Sequence, residues 1–309
     1  MITGYFFITT YKITKNELPL QIIWTENNKQ MSNFWQRTLS GTVYVALVVA
    51  SILVHPAFFG LLFMIITGLA VREYHYLSKS YNGLTVCATG AAFLLFGMSY
   101  FHFEGVVETP IIVGGFVFFT MSAMLLELFR NPTTPIQNWG NLWVSLAMIA
   151  LPFSLMNGIL LYNKYVLLAL FITIWVNDSG AYCIGSLMAK RPGGNHKMFP
   201  RVSPGKSWEG LIGGILFALL AGYVFYLVGW TDNMNLTPYP LVDSLLFALI
   251  VAVFGTLGDL MESLFKRTIG VKDSGRFMPG HGGVLDRFDS LLLATPAVYF
   301  VFVYLANIL

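Results

Sequence analysis

Residues 242–264 read VDSLLFALIVAVFGTLGDLMESL, an almost unbroken apolar run that carries Asp259 and Glu262 near its end. A helix needs about 20 apolar residues to cross about 30 Å of hydrocarbon. A carboxylate near the centre of such a helix costs roughly 2.5–3.5 kcal/mol on insertion scales. The run therefore predicts a spanning helix, and its acids need a reason. Outward from it lie further apolar runs at roughly 39–54, 57–71, 84–102, 110–128, 140–160, 164–185, 208–230 and 290–308. The pattern predicts an all-α polytopic integral membrane protein with about nine transmembrane helices. The first two runs are short and separated only by His55-Pro56, so a re-entrant hairpin is the alternative there.

Composition agrees with this class. Of 309 residues, 56% are apolar, 16% aromatic and 11% charged, against roughly 25% charged in an ordinary soluble protein. Such a chain cannot wet the surface of a soluble globule, and it is too aromatic for disorder. Two cysteines exclude a disulfide scaffold. A net charge of +3 gives no reason to invoke nucleic acid. Residues 1–30 lack both a sustained apolar run and a cleavage-like site, and Met31 opens a different texture. The expected division is a 1–30 extension with Met31 as an alternative start, membrane helices over 31–160, and a catalytic membrane region over 161–309.

The few charges are placed unevenly. With a cytoplasmic N-terminus and nine alternating helices, Lys164 alone among the 18 Lys and Arg residues falls outside. Losing one helix would destroy that asymmetry, so the positive-inside rule favours an N-in, C-out arrangement. The two long internal loops, about 186–207 and 265–289, are basic and Gly-rich. Function is expected there, on the cytoplasmic face of the C-terminal half.

Asp178 sits within the sixth run, in ITIWVNDSGAYCIG. On a helix, Asp259, Glu262, Ser263 and Lys266 share one face, and an internal salt bridge to Lys266 is the plain reading of that face. The next loop weakens it, because Lys266, Arg267, Lys272, Asp273, Arg276, His281, Asp286, Arg287 and Asp289 crowd into 24 residues. Carboxylates bind Mg²⁺, Lys and Arg neutralise phosphate, and Gly lets backbone N–H groups approach. The combination suits a polyphosphate held through a divalent metal. His281 by itself reads more simply as a loop anchor. In RVSPGKSWEG, Gly205-Lys206-Ser207 resembles a P-loop only superficially, since Pro200 stands where the first glycine belongs. Lys206 can still contact phosphate with Ser203 and Ser207 as donors. Equally, Ser207 can be the N-cap of the next helix, with Glu209 in its first turn.

The stretch from Ser263 to Asp289, S-L-F-K-R-x4-K-D-S-G-x2-M-P-G-H-G-G-V-L-D-R-F-D, resembles the signature of the phosphatidate cytidylyltransferases. NDSGAYxxG at 177–185 and SPGKSWEG at 203–210 resemble that family's upstream blocks. The one departure noted is Met278, where Leu, Ile or Phe is expected, and Met is a close apolar substitute. The resemblance implies condensation of CTP with phosphatidic acid to CDP-diacylglycerol and pyrophosphate, in phospholipid biosynthesis. It implies that Asp259 and Asp286 ligate Mg²⁺, with a second cation such as K⁺ nearby. On that reading Asp289 completes the metal shell and Lys266 joins the catalytic group. Asp178, Ser203, Lys206, Ser207, Ser263, Arg267, Lys272, Asp273, His281 and Arg287 then contact substrates. The implied setting is a bacterial inner membrane with the site facing the cytoplasm, membrane lipids around it and a homodimer as an open state. A CTP-using polyprenol or phytol kinase and a cation-coupled transporter are the rivals, separable by whether pyrophosphate, CDP or neither is released.

Overall fold

The computed structural model describes residues 38–130, 134–275 and 282–308; the expected 1–30 extension and the loop anchor His281 lie outside them. Among the described residues, hydropathy and length produce seven helices long and apolar enough to cross a membrane. They are α2 (Pro56–Leu77), α3 (Asn82–Phe103), α4 (Thr109–Arg130), α5 (Pro135–Tyr162), α6 (Lys164–Ala189), α7 (Trp208–Leu227) and α8 (Pro240–Ile269). Two shorter apolar helices flank them, α1 (Thr38–Val54) and α10 (Leu291–Tyr304), with the single turn α9 (Leu285–Phe288) just before α10. Each of the nine expected runs thus has a helix. The chain is a polytopic integral membrane protein.

Several boundaries move for identifiable reasons. The His55-Pro56 break is a helix start, because the His55 ring accepts the Ala57 N–H and Pro56 occupies the first turn. Beyond it α2 continues to Leu77, so Arg72 and Glu73 are helical where a loop was expected. In α5, Pro152 has no N–H to give to Met148 and its ring crowds that carbonyl. The turn at Leu146–Ala150 widens into a π-helix that absorbs the defect. α8 runs on to Ile269 and stops where Gly270 takes φ 83°, the left-handed conformation that glycine adopts freely. Lys266 and Arg267 are therefore on a helix rather than in the loop.

The all-α expectation holds, with one small element added to it. The first basic loop folds as a small antiparallel hairpin, β1 (Lys197–Phe199) with β2 (Ser203–Ser207), in which Lys197 pairs with Ser207 and Phe199 with Ser203. No period-2 apolar pattern announces it, since neither KMF nor SPGKS alternates apolar with polar residues. It is short, and its backbone pairing replaces a strand pattern as the source of order.

The core is built from aromatic contacts among distant helices. Phe63 of α2 meets Phe171 of α6 with ring centroids 5.9 Å apart and Phe288 of α9 at 5.8 Å. Phe153 of α5 closes on Phe288 at 5.5 Å. These rings are fully buried, and their edge-to-face geometry suits the ring quadrupole. They seat α9 and the start of α10 between α2, α5 and α6, which fixes where Asp286 to Ser290 can point.

Candidate functional site

The functional side chains gather at one end of the bundle, where α6 and α8 finish and α7 and α10 begin. Gly214 lets α7 lie directly on α6, because any Cβ there would stand 2.7 Å from Asn177 Oδ1 and 2.9 Å from its carbonyl oxygen. Gly258 does the same for α8 against the turn at Asp289-Ser290, where a Cβ would meet the Asp289 carbonyl at 2.6 Å. Close backbones bring polar groups from four chain segments into one place.

Two cavities open there and share a wall made of Asp178 and Asp259. The larger, about 410 Å³, lies against α6, β2 and α7, with Asn177, Tyr182, Lys206 and Ser207 among its lining residues. The smaller, about 290 Å³, is lined by Tyr44, Asp286, Arg287, Asp289 and Ser290 beside the shared pair. Lys206 Nζ reaches across to Asp259 Oδ2 at 2.8 Å and donates to the Thr256 carbonyl at 3.3 Å. Ser263 Oγ donates to Asp259 Oδ1 at 3.2 Å. Ser207 accepts the Gly210 N–H at 3.1 Å as the N-cap of α7; it is a cap and a cavity wall at once. Asp178 is held by the Asn177 amide at 3.4 Å.

Lys266 does not snorkel to water. It is 8% exposed and sits between Glu262 (2.5 Å) and Asp286 (2.6 Å). The internal pair read on this face is therefore present with Glu262, while Asp259 pairs with Lys206 instead. Asp286 also accepts the N–H groups of Ser274 and Gly283 on Oδ2, both at 2.8 Å. Burial would raise its pKa, but Lys266 and these two N–H groups bring it below the ordinary carboxylate value. Asp289 is the opposite case. Burial first, then the charges of Asp259 and Glu262, holds its carboxyl well above the usual range.

The remaining sequence candidates are more peripheral. Ser203 lies in β2, half-buried. Arg267 donates to the Val202 carbonyl at 3.2 Å and to Val271 at 3.2 Å, tying the end of α8 to the hairpin. Lys272 and Asp273 are exposed. Sequence reasoning missed Tyr44 and Glu73, which come from the half of the chain that carried no motif. Tyr44 lines the smaller cavity, its hydroxyl donating to the Arg287 carbonyl at 3.4 Å. Glu73 accepts the Leu285 N–H at 2.8 Å. The signal for Glu73 was available, since it is a carboxylate at the end of an apolar run.

The donor chemistry fits a divalent cation. Asp178, Asp259, Asp286 and Asp289 line one small cavity, and only hard oxygen ligands are offered. Lys266 and two N–H groups occupy three acceptor positions of Asp286, leaving one on Oδ1. Among the described residues no three Asp, Glu, His or Cys side chains converge closely enough to cage a metal alone. Mg²⁺ would not require such a cage, since it takes one or two carboxylates and fills its shell with water and substrate phosphates. Arg287 also lines this cavity, and among the described residues its buried Nε has no hydrogen-bond partner.

Known proteins supply the comparison. A phosphatidate cytidylyltransferase of Haemophilus influenzae is 44% identical over 142 residues, covering 46% of this chain and 47% of the relative. One of Bacillus subtilis is 47% identical over 130 residues, 42% and 44% of the two chains. One of Staphylococcus aureus is 45% identical over 133 residues, 43% and 46%. The chain thus matches these curated relatives over about half their length. The profile of the cytidylyltransferase family matches residues 35–305. The chain belongs to the cytidylyltransferase family.

Proposed function

We propose that this chain condenses CTP with phosphatidic acid, giving CDP-diacylglycerol and pyrophosphate at the cytoplasmic face of a bacterial inner membrane. The observation that carries the reading is the pair of cavities joined at Asp178 and Asp259, with Lys206 on one side and Arg287 on the other. Two anionic substrates must be brought together, and two adjoining chambers with a cation on each flank suit that task. The names of the relatives point to the same reaction.

In this reading a phosphatidate oxygen attacks the α-phosphorus of CTP. The new phosphorus–oxygen bond forms as the bond to the β-phosphate bridging oxygen breaks, and pyrophosphate leaves. The nucleophile is already ionised, so no side chain has to take a proton. Asp259 and Asp286 are the residues that would hold Mg²⁺, its shell completed by water and substrate phosphate. Asp289 stands beside them to orient it, and Asp178 is in the same cavity, where a second cation such as K⁺ would be drawn. When bound, the metal neutralises triphosphate charge and stabilises the departing pyrophosphate. Lys206 and Arg287 supply fixed positive charge to the two phosphate groups. Ser207 offers its hydroxyl from the wall of the larger cavity, and Ser263 steadies Asp259 with its one O–H. Ser203 stands in the hairpin beside them, and Arg267 and Lys272 add charge at the entrance. Lys266 stays with Glu262 and Asp286 and holds Asp286 in place.

A topology of nine spans, with the N-terminus in and the C-terminus out, places the cavities on the side where CTP is found and draws its support from the basic loops. The direct experiment is turnover of radiolabelled CTP with phosphatidic acid in mixed micelles. Magnesium-dependent release of pyrophosphate together with labelled lipid is the expected result. Release of CDP would assign a lipid kinase instead, and no turnover would end the proposal.

A further inference from the structure

Glu73 lies in the half of the chain without recognisable motifs, yet its carboxylate enters the neck where residues 274–275 come back against residues 283–285. It accepts the Leu285 N–H at 2.8 Å, across 212 residues of sequence. Gly275 and Gly283 face it from both sides, and a Cβ on either would overlap Glu73 Oε1. A Cβ on Gly275 would also stand 3.3 Å from the Gly283 Cα, so the two strands of the neck are in contact. Asp286 ties the same two strands from the other direction by accepting the Ser274 and Gly283 N–H groups, and its own N–H returns to Ser274 Oγ at 3.3 Å. Two carboxylates from distant elements therefore hold one backbone crossing. The residues immediately after it, Asp286, Arg287 and Asp289, line the smaller cavity.

We propose that Glu73 is a positioning residue, clamping the Ser274–Gly275 and Gly283–Leu285 strands so that Asp286, Arg287 and Asp289 are held in register with Asp259. The clamp itself follows from geometry; its consequence for turnover rests on the proposed nucleotidyl transfer. Shape alone would not explain a carboxylate here, because an apolar side chain could fill the space but would leave the Leu285 N–H without a partner. Removing Glu73 orphans that donor and frees the neck, and displacement of about 1 Å at reacting groups can cost on the order of a hundredfold in rate.

The test compares Glu73→Ala, Glu73→Gln, Gly275→Ala and the Glu73→Ala/Gly275→Ala pair in the full-length protein. Hydrogen exchange at the Leu285 amide and kcat and KM for CTP are measured together. Glu73→Ala is expected to speed Leu285 exchange and to lower kcat/KM by about tenfold to a hundredfold. Glu73→Gln keeps an oxygen acceptor and is expected to restore most of both. Gly275→Ala is expected to be damaging alone and much less so once Glu73 is Ala, because the atom its Cβ strikes is gone. Unchanged exchange and kinetics in Glu73→Ala, or strictly additive effects in the pair, would overturn the clamp. If unsubstituted protein makes no pyrophosphate from CTP and phosphatidic acid, the activity reading falls. The Leu285 exchange and the coupling in apparent Tm would still decide the clamp.

Discussion

Lys206 and Asp259 face each other at 2.8 Å across the wall between the two cavities. The lysine comes from the hairpin and the aspartate from α8, so one ion pair joins the loop to the membrane helix. It is a partly exposed pair, and its worth to stability is small. Its position is what matters: a cation that binds Asp259 and a phosphate that binds Lys206 would each take one partner from the other.

Asp259→Asn and Lys206→Met are therefore expected each to lower turnover by about a hundredfold to a thousandfold, with little change in apparent Tm. Their effects in the double variant should be far from additive, because the two groups act on one phosphate–metal unit. Steady-state kinetics with CTP at several Mg²⁺ concentrations check this. Near-normal turnover in both single variants would contradict the assignment.

Lys266 behaves differently. It is buried between Glu262, 3% exposed, and Asp286. Lys266→Met leaves both carboxylates without their cation, and breaking such a buried arrangement costs about 3–5 kcal/mol. A clear fall in apparent Tm in detergent is expected, partly recovered by adding Glu262→Gln. A variant that loses activity with unchanged Tm would instead make Lys266 a substrate-contacting group.

Gly258→Ala tests close packing at the site. The new methyl would stand 2.6 Å from the Asp289 carbonyl and 3.1 Å from that of Ser290, so the turn carrying Asp289 must shift. Overpacking of this kind costs about 1–3 kcal/mol, and turnover is expected to fall more than tenfold. Gly97→Ala is the control, since a Cβ there meets nothing within 4 Å. Equal effects of the two substitutions in the same assay would refute the packing argument.

Topology can be checked by labelling. Cys87 is half-buried and Cys183 exposed, and both are free, so alanine is placed at both first. Glu104 and Arg191 are exposed, with α4, α5 and α6 between them. Glu104→Cys is expected to react with an impermeant maleimide from outside intact cells, and Arg191→Cys only after the membrane is opened. Labelling of both from the same side would remove one of the three spans.

Much of the fold was legible in the sequence. Each expected apolar run has a helix because hydropathy is a local sum, needing no knowledge of what the helix touches. α2 and α8 ran past the expected ends because basic residues such as Arg72, Lys266 and Arg267 suit the last turns of a helix, while Glu73 is satisfied there by the Leu285 N–H. The hairpin was not legible, because its residues carry no apolar alternation. Of the candidate residues, Asp178, Lys206, Ser207, Asp259, Asp286, Arg287 and Asp289 line the two cavities, whereas Lys272 and Asp273 are exposed on the surface.

By itself the sequence determined the membrane class, the number of apolar runs and the segment in which phosphate chemistry was to be sought. Those depend on composition and on spacing along one helix. Tertiary structure decided which acid meets which base: Asp259 with Lys206, Glu262 and Asp286 with Lys266, and Glu73 with the Leu285 amide. Ser263 and Lys266 are each four residues along the helix from an acid, but Leu285 is 212 residues from Glu73. Helical periodicity can align the first kind of pair. Only packed aromatic rings and glycine contacts between helices bring the second kind within hydrogen-bond reach.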